Sequence, residues 1–338
     1  MKQVKPKYPI NQCALYKCSS KRKLESLLTI EPGGLKNIQC AIQYRSFEID
    51  KKNTNEKRKI TAPAKELKAI QARILALLQR IERPKWLISG ERGKCYIDNG
   101  KAHMDANYML AVDIKKFYDN CRRDGVYRFF HHRMKTEPDV AKILTDIVTY
   151  NGGIPTGCPT SQLIAYYAYE DMFTEINKCA ECYGCRFTLY VDDMTFSSVT
   201  PFPSEKLTQE IDVILRRYGH KPKYPKVKYY SKNENKPVTG TIVTSDHRLD
   251  VPNQLQKKIY DNFQLAKKLN DQQNSEETIK VTQALMGQIQ AAKNLDPNCF
   301  PEIKRVAYQI QSANNVPQYQ RKSKRKFKRA KIKIVKPE

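Results

Sequence analysis

The spacing of apolar residues changes several times along this chain, and each change marks a predicted element. Between 44 and 62 apolar and polar residues alternate, with Phe47 and Ile49 before a polar stretch at Asn53-Thr54-Asn55 and Ile60 after it. That pattern predicts two strands joined by a basic turn. From Ala64 to Arg83 the period becomes helical, and Leu67, Ile70, Ile74, Leu77, Leu78 and Ile81 form one stripe. Tyr108 to Ile114 is an apolar run with Asp113 near its end, and Phe187 to Ser197 alternates on both sides of Asp192-Asp193, which predicts two short strands and a tight turn. Helices are expected over about 115–134, 138–149, 159–179 and 204–219, the last bracketed by Ser204 and Gly219. Residues 237–244 read as a strand, and 252–318 as two or three helices over 252–268, 276–293 and 301–312. Asp98 to His103 reads as a turn; the first 43 residues hold helix pieces around Ala14 to Leu28 and no motif.

At 338 residues the chain can bury a sizeable core. Its 61 Lys and Arg against 35 Asp and Glu give a formal charge of +26, which points to a polyanionic partner, RNA or DNA. A membrane surface is the competing reading, but no apolar run approaches the ~20 residues of a spanning helix. Met1 to Ser20 lacks the apolar stretch of a secretory leader, so the expectation is a cytoplasmic protein with no membrane partner. Ten scattered cysteines suit a reduced chain. Cys179, Cys182 and Cys185 have spacing that could serve Zn²⁺ or an iron–sulfur cluster, but no fourth ligand is evident and packed, inert thiols are the favoured reading.

Two adjacent acids between apolar strands repel each other and have no hydrophobic reason to be there. Asp192 and Asp193 therefore call for a cation, and hard oxygen donors suit Mg²⁺; a solvated turn is the ordinary alternative. Asp113 at the end of an apolar strand carries a desolvation cost of several kcal/mol unless a cation or hydrogen-bonded partner offsets it, and one of the many lysines is the plain candidate. Residues 151–161 form a loop punctuated by glycine and proline that opens a helix near Pro159. The run Arg321 to Arg329 is almost all cation, a tail expected to be disordered alone and to clamp RNA in a salt-sensitive way.

Tyr190-Val191-Asp192-Asp193 resembles the Tyr-x-Asp-Asp motif of reverse transcriptases, and further motifs of that family occur in order over about 44–315. Asp113-Ile114-Lys115-Lys116-Phe117-Tyr118 resembles motif A. The resemblance implies that Asp113, Asp192 and Asp193 are catalytic and hold two Mg²⁺ ions, with the Ile114 carbonyl as a further ligand, while Tyr118 packs under the sugar and selects dNTPs. Phe47-x-Ile49-x-Lys51 followed by Arg58 resembles the fingers, which makes Lys51 and Arg58 the triphosphate ligands. The loop 151–161 resembles motif B and places Thr156 and Gly157 at the nucleotide, although Thr156 replaces the usual glutamine and Gln162 the usual proline. Lys226, with Lys228 as alternate, matches the motif D lysine that protonates pyrophosphate.

Val238-Thr239-Gly240 directly after motif D resembles the retron reverse transcriptases, and Asn99-Gly100-Lys101-Ala102-His103 is a partial match to their Asn-Ala-x-x-His. Leu285 to Pro297 resembles their thumb. RNA contacts are thereby implied for Asn99, His103, Val238, Thr239 and Gly240, and the tail adds Arg325 and Lys326. The implied fold is α+β, a right-hand polymerase with an N-terminal segment 1–43, fingers 44–107, a palm 108–250 built on an antiparallel sheet, a helical thumb 251–318 and a basic tail 319–338. The implied function is RNA-directed DNA synthesis on a cognate structured non-coding RNA, primed from an internal 2′-hydroxyl, within an anti-phage system that includes an effector protein. Two alternatives stand beside it: a defence-associated or abortive-infection polymerase with another template or none, and an RNA-binding scaffold with a spent palm. Three retained acids argue against the scaffold.

Overall fold

The computed structural model describes residues 6–50, 57–272, 275–314, 331, 332 and 334, the side chains of Arg58 and Ser275 excepted. Lys51, Arg325 and Lys326 lie outside the described residues.

Three antiparallel sheets organise it. Strands β1 (Tyr44–Asp50) and β2 (Lys57–Pro63) form a ribbon in which Tyr44 faces Pro63 and Asp50 faces Lys57. Strand β3 (Tyr108–Asp113), β4 (Arg186–Tyr190), β5 (Asp193–Ser198) and β6 (Lys228–Tyr230) make a four-stranded sheet in the order β4-β5-β3-β6. In β3, Met109, Leu110 and Val112 are buried, so both faces of this central strand are covered and its sequence is a continuous apolar run rather than an alternation. A small sheet follows from β7 (Lys236–Val238), β8 (Thr241–Val243) and β9 (Leu249–Asp250).

The helix Lys65–Leu78 buries Leu67, Ile70, Ile74 and Leu78 in the main core, which it shares with Leu144 and Val148 of the helix Pro138–Val148. Cys13, Leu15, Cys18, Leu24 and Leu28 join that same core, so the motif-free N-terminal stretch is a structural layer. Its helix Lys21–Leu28 starts at Ser20, whose side chain accepts the Lys23 N–H. A separate core made of Ile259, Ala266, Leu285, Ile289, Ala292, Ala307 and Ile310 holds together the helices Asn253–Asp271, Ser275–Lys293 and Pro301–Ala313.

Several expectations are corrected. The helix expected over 115–134 is broken into Phe117–Asn120, Arg123–Arg128 and a wide turn Phe129–Arg133, and that expected over 159–179 into Ser161–Ala168 and Glu170–Cys182. Asp98 to His103 is mostly helical, within Tyr96–Lys101, where the Asp98 carboxylate accepts the Cys95 N–H at 2.7 Å. The strand expected over 237–244 is a hairpin: Thr239 and Gly240 have φ of 43° and 86°, the two positive values that a type I′ turn requires. Of the tail, 331, 332 and 334 are described. Ile332 donates to the Thr29 carbonyl at 2.8 Å, accepts the Glu31 N–H at 3.1 Å, and packs with Ile334 on the main core.

All ten cysteines are free. Cys179 donates to Glu210 Oε2 at 3.0 Å, and burial followed by that carboxylate pushes its thiol up to about 12. Among the described residues no group of three His, Cys, Asp or Glu is gathered to hold a metal.

Candidate active site

The site grows out of the ladder between β3 and β5. Their register places Asp113 directly opposite Asp193, at the shared end of the two strands. Asp192 precedes Asp193 on the two-residue turn that joins β4 to β5, and its carbonyl accepts the Ile114 N–H at 3.1 Å. Asp113 and the Asp192-Asp193 pair, far apart in sequence, are therefore brought to one corner of the sheet, although the three carboxylates do not stand gathered as a ready-made metal cage. The turn itself is unusual, because Val191 has φ 63°, a left-handed value that a β-branched side chain seldom adopts.

Clustering perturbs Asp193. Burial, then the charges of Asp192 and Asp113, push the Asp193 carboxyl up to about 6. Lys226, in the turn Tyr224–Lys226, donates to Asp113 Oδ2 at 2.6 Å, and this bond raises the Lys226 pKa. The β3 end is fastened by its continuation: the Asp113 carbonyl accepts the Lys223 N–H at 2.7 Å, and the Lys115 N–H donates to the Lys221 carbonyl at 2.9 Å. A cleft of about 320 Å³ opens here, lined by Asp113, Asp193, Lys226, Lys228, Tyr230 and Thr239 among others. Asp113, Asp193 and Thr239 therefore share one concavity.

The loop that opens the helix Ser161–Ala168 is braced against β2. Gly157 donates to the Thr61 carbonyl at 3.0 Å, and the Thr156 hydroxyl reaches the Lys59 carbonyl at 3.4 Å. A Cβ at Gly157 would lie 2.5 Å from the Thr61 oxygen and 2.9 Å from its carbon, so only glycine allows this approach.

The family model described as reverse transcriptase (RNA-dependent DNA polymerase) matches residues 49–274, well over half of the chain. The chain belongs to the reverse transcriptase family. Its mixed helices and antiparallel sheets are those of the polymerase right hand. Similar proteins include the Retron Se72 reverse transcriptase of Salmonella heidelberg (strain 579083-10), 28% identical over 194 residues that make up 56% of this chain and 51% of the relative. The Retron Ec86 reverse transcriptase of Escherichia coli is 25% identical over 206 residues, 60% of this chain and 64% of the relative. The match thus spans about half to two thirds of the length of these relatives. A solved structure of apo telomerase from Candida tropicalis, truncated from the C-terminal domain, aligns with a TM-score of 0.49 at 11% identity, covering 63% of this chain and 55% of that one.

Other residues singled out in the sequence fall in different places. Tyr118 is half-buried in the short helix Phe117–Asn120 after β3, its ring 5.6 Å from that of Phe117. Arg58 lies in β2 opposite Ile49. His103 does not reach a surface where RNA could touch it. It is fully buried, with Nδ1 2.6 Å from Ser197 Oγ on β5 and Nε2 2.7 Å from Thr188 Oγ1 on β4, and burial pushes its pKa down to about 3. Asn99 is likewise buried and donates to Thr239 Oγ1 at 2.8 Å, while Val238 is 1% exposed. Of the five residues expected to touch RNA here, Thr239 is half-buried and Gly240 exposed; Asn99 and Val238 are buried beneath the turn and His103 ties β4 to β5 instead. Ser89 was not singled out at all. Its segment carries only a short apolar run, Trp86-Leu87-Ile88, yet it packs beside β4 up to the Val191-Asp192 turn.

Proposed function

We propose that this chain is an RNA-directed DNA polymerase that copies a structured non-coding RNA into single-stranded DNA, as part of a retron. The observation that carries the reading is the Asp113–Asp193 register pair with Asp192 on the adjoining turn. Facing carboxylates, of which Asp193 has its pKa raised by burial and by its two acidic neighbours, are a donor set for hard divalent cations, and Lys226 on Asp113 marks the place where positive charge is favoured. Asp113 and Asp192 would be the principal ligands of two Mg²⁺ ions, with Asp193 and the Ile114 carbonyl beside them. When bound, such ions acidify a primer hydroxyl and neutralise charge on the phosphates of the nucleotide.

The chain's own residues do the rest. Lys51 and Arg58 bind the triphosphate, Tyr118 sits under the sugar and excludes a 2′-hydroxyl, and the Thr156-Gly157 backbone lies along the incoming nucleotide. Lys226 supplies a proton to the departing pyrophosphate. The exposed Gly240 and half-buried Thr239 meet RNA at the cleft margin, and Arg325 and Lys326 contact its backbone. The proposed divisions are an N-terminal segment 1–43, fingers 44–107, palm 108–250, thumb 251–318 and tail 319–338. Similarity to proteins named retron reverse transcriptases supports the retron assignment and the RNA template, and the proposal extends to a branched RNA–DNA product and a role in anti-phage defence with an effector protein. Among the described residues no helix is long and apolar enough to cross a membrane, and we place the protein in the cytoplasm.

Primer extension in Mg²⁺ with the wild type and Asp192→Asn tests the chemistry: the variant should make no DNA and still bind RNA. A variant that extends the primer would falsify the assignment. Sequencing the nucleic acid that co-purifies from cells tests the template, with one structured RNA joined to its own DNA copy as the expected result and random host sequence as the contrary one.

A further inference from the structure

We propose that Ser89 is a positioning residue that locks the Tyr190-Val191-Asp192-Asp193 turn in its working shape, an inference that rests on reading this turn as the metal-binding corner of a polymerase. The Val191 N–H stands at the tip of the β4–β5 hairpin, beyond the last ladder pair, Tyr190 with Asp193. Ser89 Oγ accepts it at 2.8 Å. The side chain that does so is 5% exposed, so water does not readily substitute for it. Val191 at φ 63° is a strained residue, and such strain persists only where the surroundings over-determine the conformation.

Ser89 is fixed from both sides. Before it, Leu87 bridges Leu189 in parallel, the Leu189 N–H donates to the Trp86 carbonyl at 2.9 Å, and the Ile88 N–H donates to the Leu189 carbonyl at 3.0 Å. After it, Gly90 turns at φ 71° into Glu91, a buried carboxylate paired with the buried guanidinium of Arg83 and with Lys7. The hydroxyl is thus delivered to the turn by a segment anchored at each end. On the far side of the turn the Asp192 carbonyl is held by the Ile114 N–H. The two bonds grip the peptides on either side of the Val191–Asp192 link, and together they set where the Asp192 carboxylate points.

A serine that merely fills space would be replaceable by alanine with no effect on chemistry. A positioning serine would not be. Displacements near 1 Å at a reacting centre cost ~100-fold in rate, so Ser89→Ala should lower kcat by ~10- to 100-fold while the KM for dNTP moves by less than ~2-fold. Ser89→Thr, which keeps the hydroxyl, should restore kcat. Hydrogen exchange at the Val191 amide, measured on the full chain without nucleic acid, should quicken in Ser89→Ala and not in Ser89→Thr. Wild-type kcat and exchange in Ser89→Ala would overturn the proposal; so would a kcat loss that tracks the melting temperature and is not rescued by Ser89→Thr. A wild-type chain that extends no primer in Mg²⁺ overturns the polymerase reading and this inference with it, whereas an active wild type with an indifferent Ser89→Ala overturns the inference alone.

Discussion

Gly157→Ala is the most direct test of how the β1–β2 ribbon is seated on the loop before the helix Ser161–Ala168. The need for glycine there is one of space, since Gly157 is not among the positive-φ glycines. A methyl carbon built on it meets the Thr61 carbonyl carbon at 2.9 Å and the Ala62 Cα at 3.1 Å, where nonbonded carbons rest at ~3.5–4.0 Å. Thr61 is backbone on β2, paired with Ser46 across the ribbon, so no side chain can swing aside. Strand and loop must separate by at least ~0.6 Å, the shortfall to the lower end of that range. Overpacking of this kind costs ~1–3 kcal/mol, and weakening the Gly157 N–H bond to Thr61 adds ~1 kcal/mol, a total of ~2–4 kcal/mol. The same shift falls beside the proposed nucleotide site and should lower kcat/KM for dNTP by ~10-fold or more. Urea unfolding and steady-state primer extension measure the two effects. Gly287→Ala is the control: nothing lies within 4 Å of its added carbon, it sits inside the helix Ser275–Lys293, and it should gain up to ~1 kcal/mol with unchanged kinetics. If Gly157→Ala behaves like Gly287→Ala, the close approach is not a constraint and the seating described here is wrong.

Other perturbations read other parts of the fold. His103 and His220 have folded pKa values pushed down by burial to about 3 and about 4, so between those values and the unfolded ~6.5 the unfolded chain binds more protons and folding weakens as pH falls. Lowering pH from 7 to 5 should remove ~2 kcal/mol of stability for each histidine, and an unfolding midpoint that is flat over this range would refute their burial as neutral rings. Asp193→Asn removes one of three mutually repelling acids; it should abolish DNA synthesis while raising the melting temperature of the metal-free protein, and a lower melting temperature would show that Asp193 is already compensated. Lys226→Met takes the cation from Asp113, and should cut kcat while leaving the affinity for template RNA unchanged; an equal loss in both would mean that Lys226 is part of the RNA surface.

Local periodicity carried most of the architecture, and where it stopped is physically clear. Strands β3, β4 and β5, the helix Lys65–Leu78 and the three C-terminal helices are long enough, or apolar enough, for their pattern to be visible without neighbours. The β7–β8 hairpin is not, because three-residue strands hold too little pattern to separate a turn from a strand, and only the Thr239-Gly240 pair hinted at one. His103 was misread for a different reason. A polar ring in a Gly- and Asn-rich stretch looks like surface, and its burial depends on hydroxyls of Thr188 and Ser197 that lie 85 and 94 residues away in sequence. Asp113 and Asp192-Asp193 were legible because a charge inside an apolar strand is costly wherever it occurs, and the cost shows in the string itself.

That cost also explains why so much of the remaining structure converges on one corner. Three acids held together without metal oppose folding locally, as the raised pKa of Asp193 registers, and a single lysine on Asp113 offsets only part of it. The approach must therefore be imposed by bonds that do not involve the carboxylates. The β3–β5 ladder sets the register, the Ile114 and Ser89 bonds fix the turn from its two sides, and the buried His103 ties β4 to β5 just behind it. Each of these is satisfied before any ion or nucleotide arrives. A site assembled this way spends folding energy on pre-organisation, so variants that relax it should be more stable and less active, while variants that loosen its supports should lose rate before they lose fold.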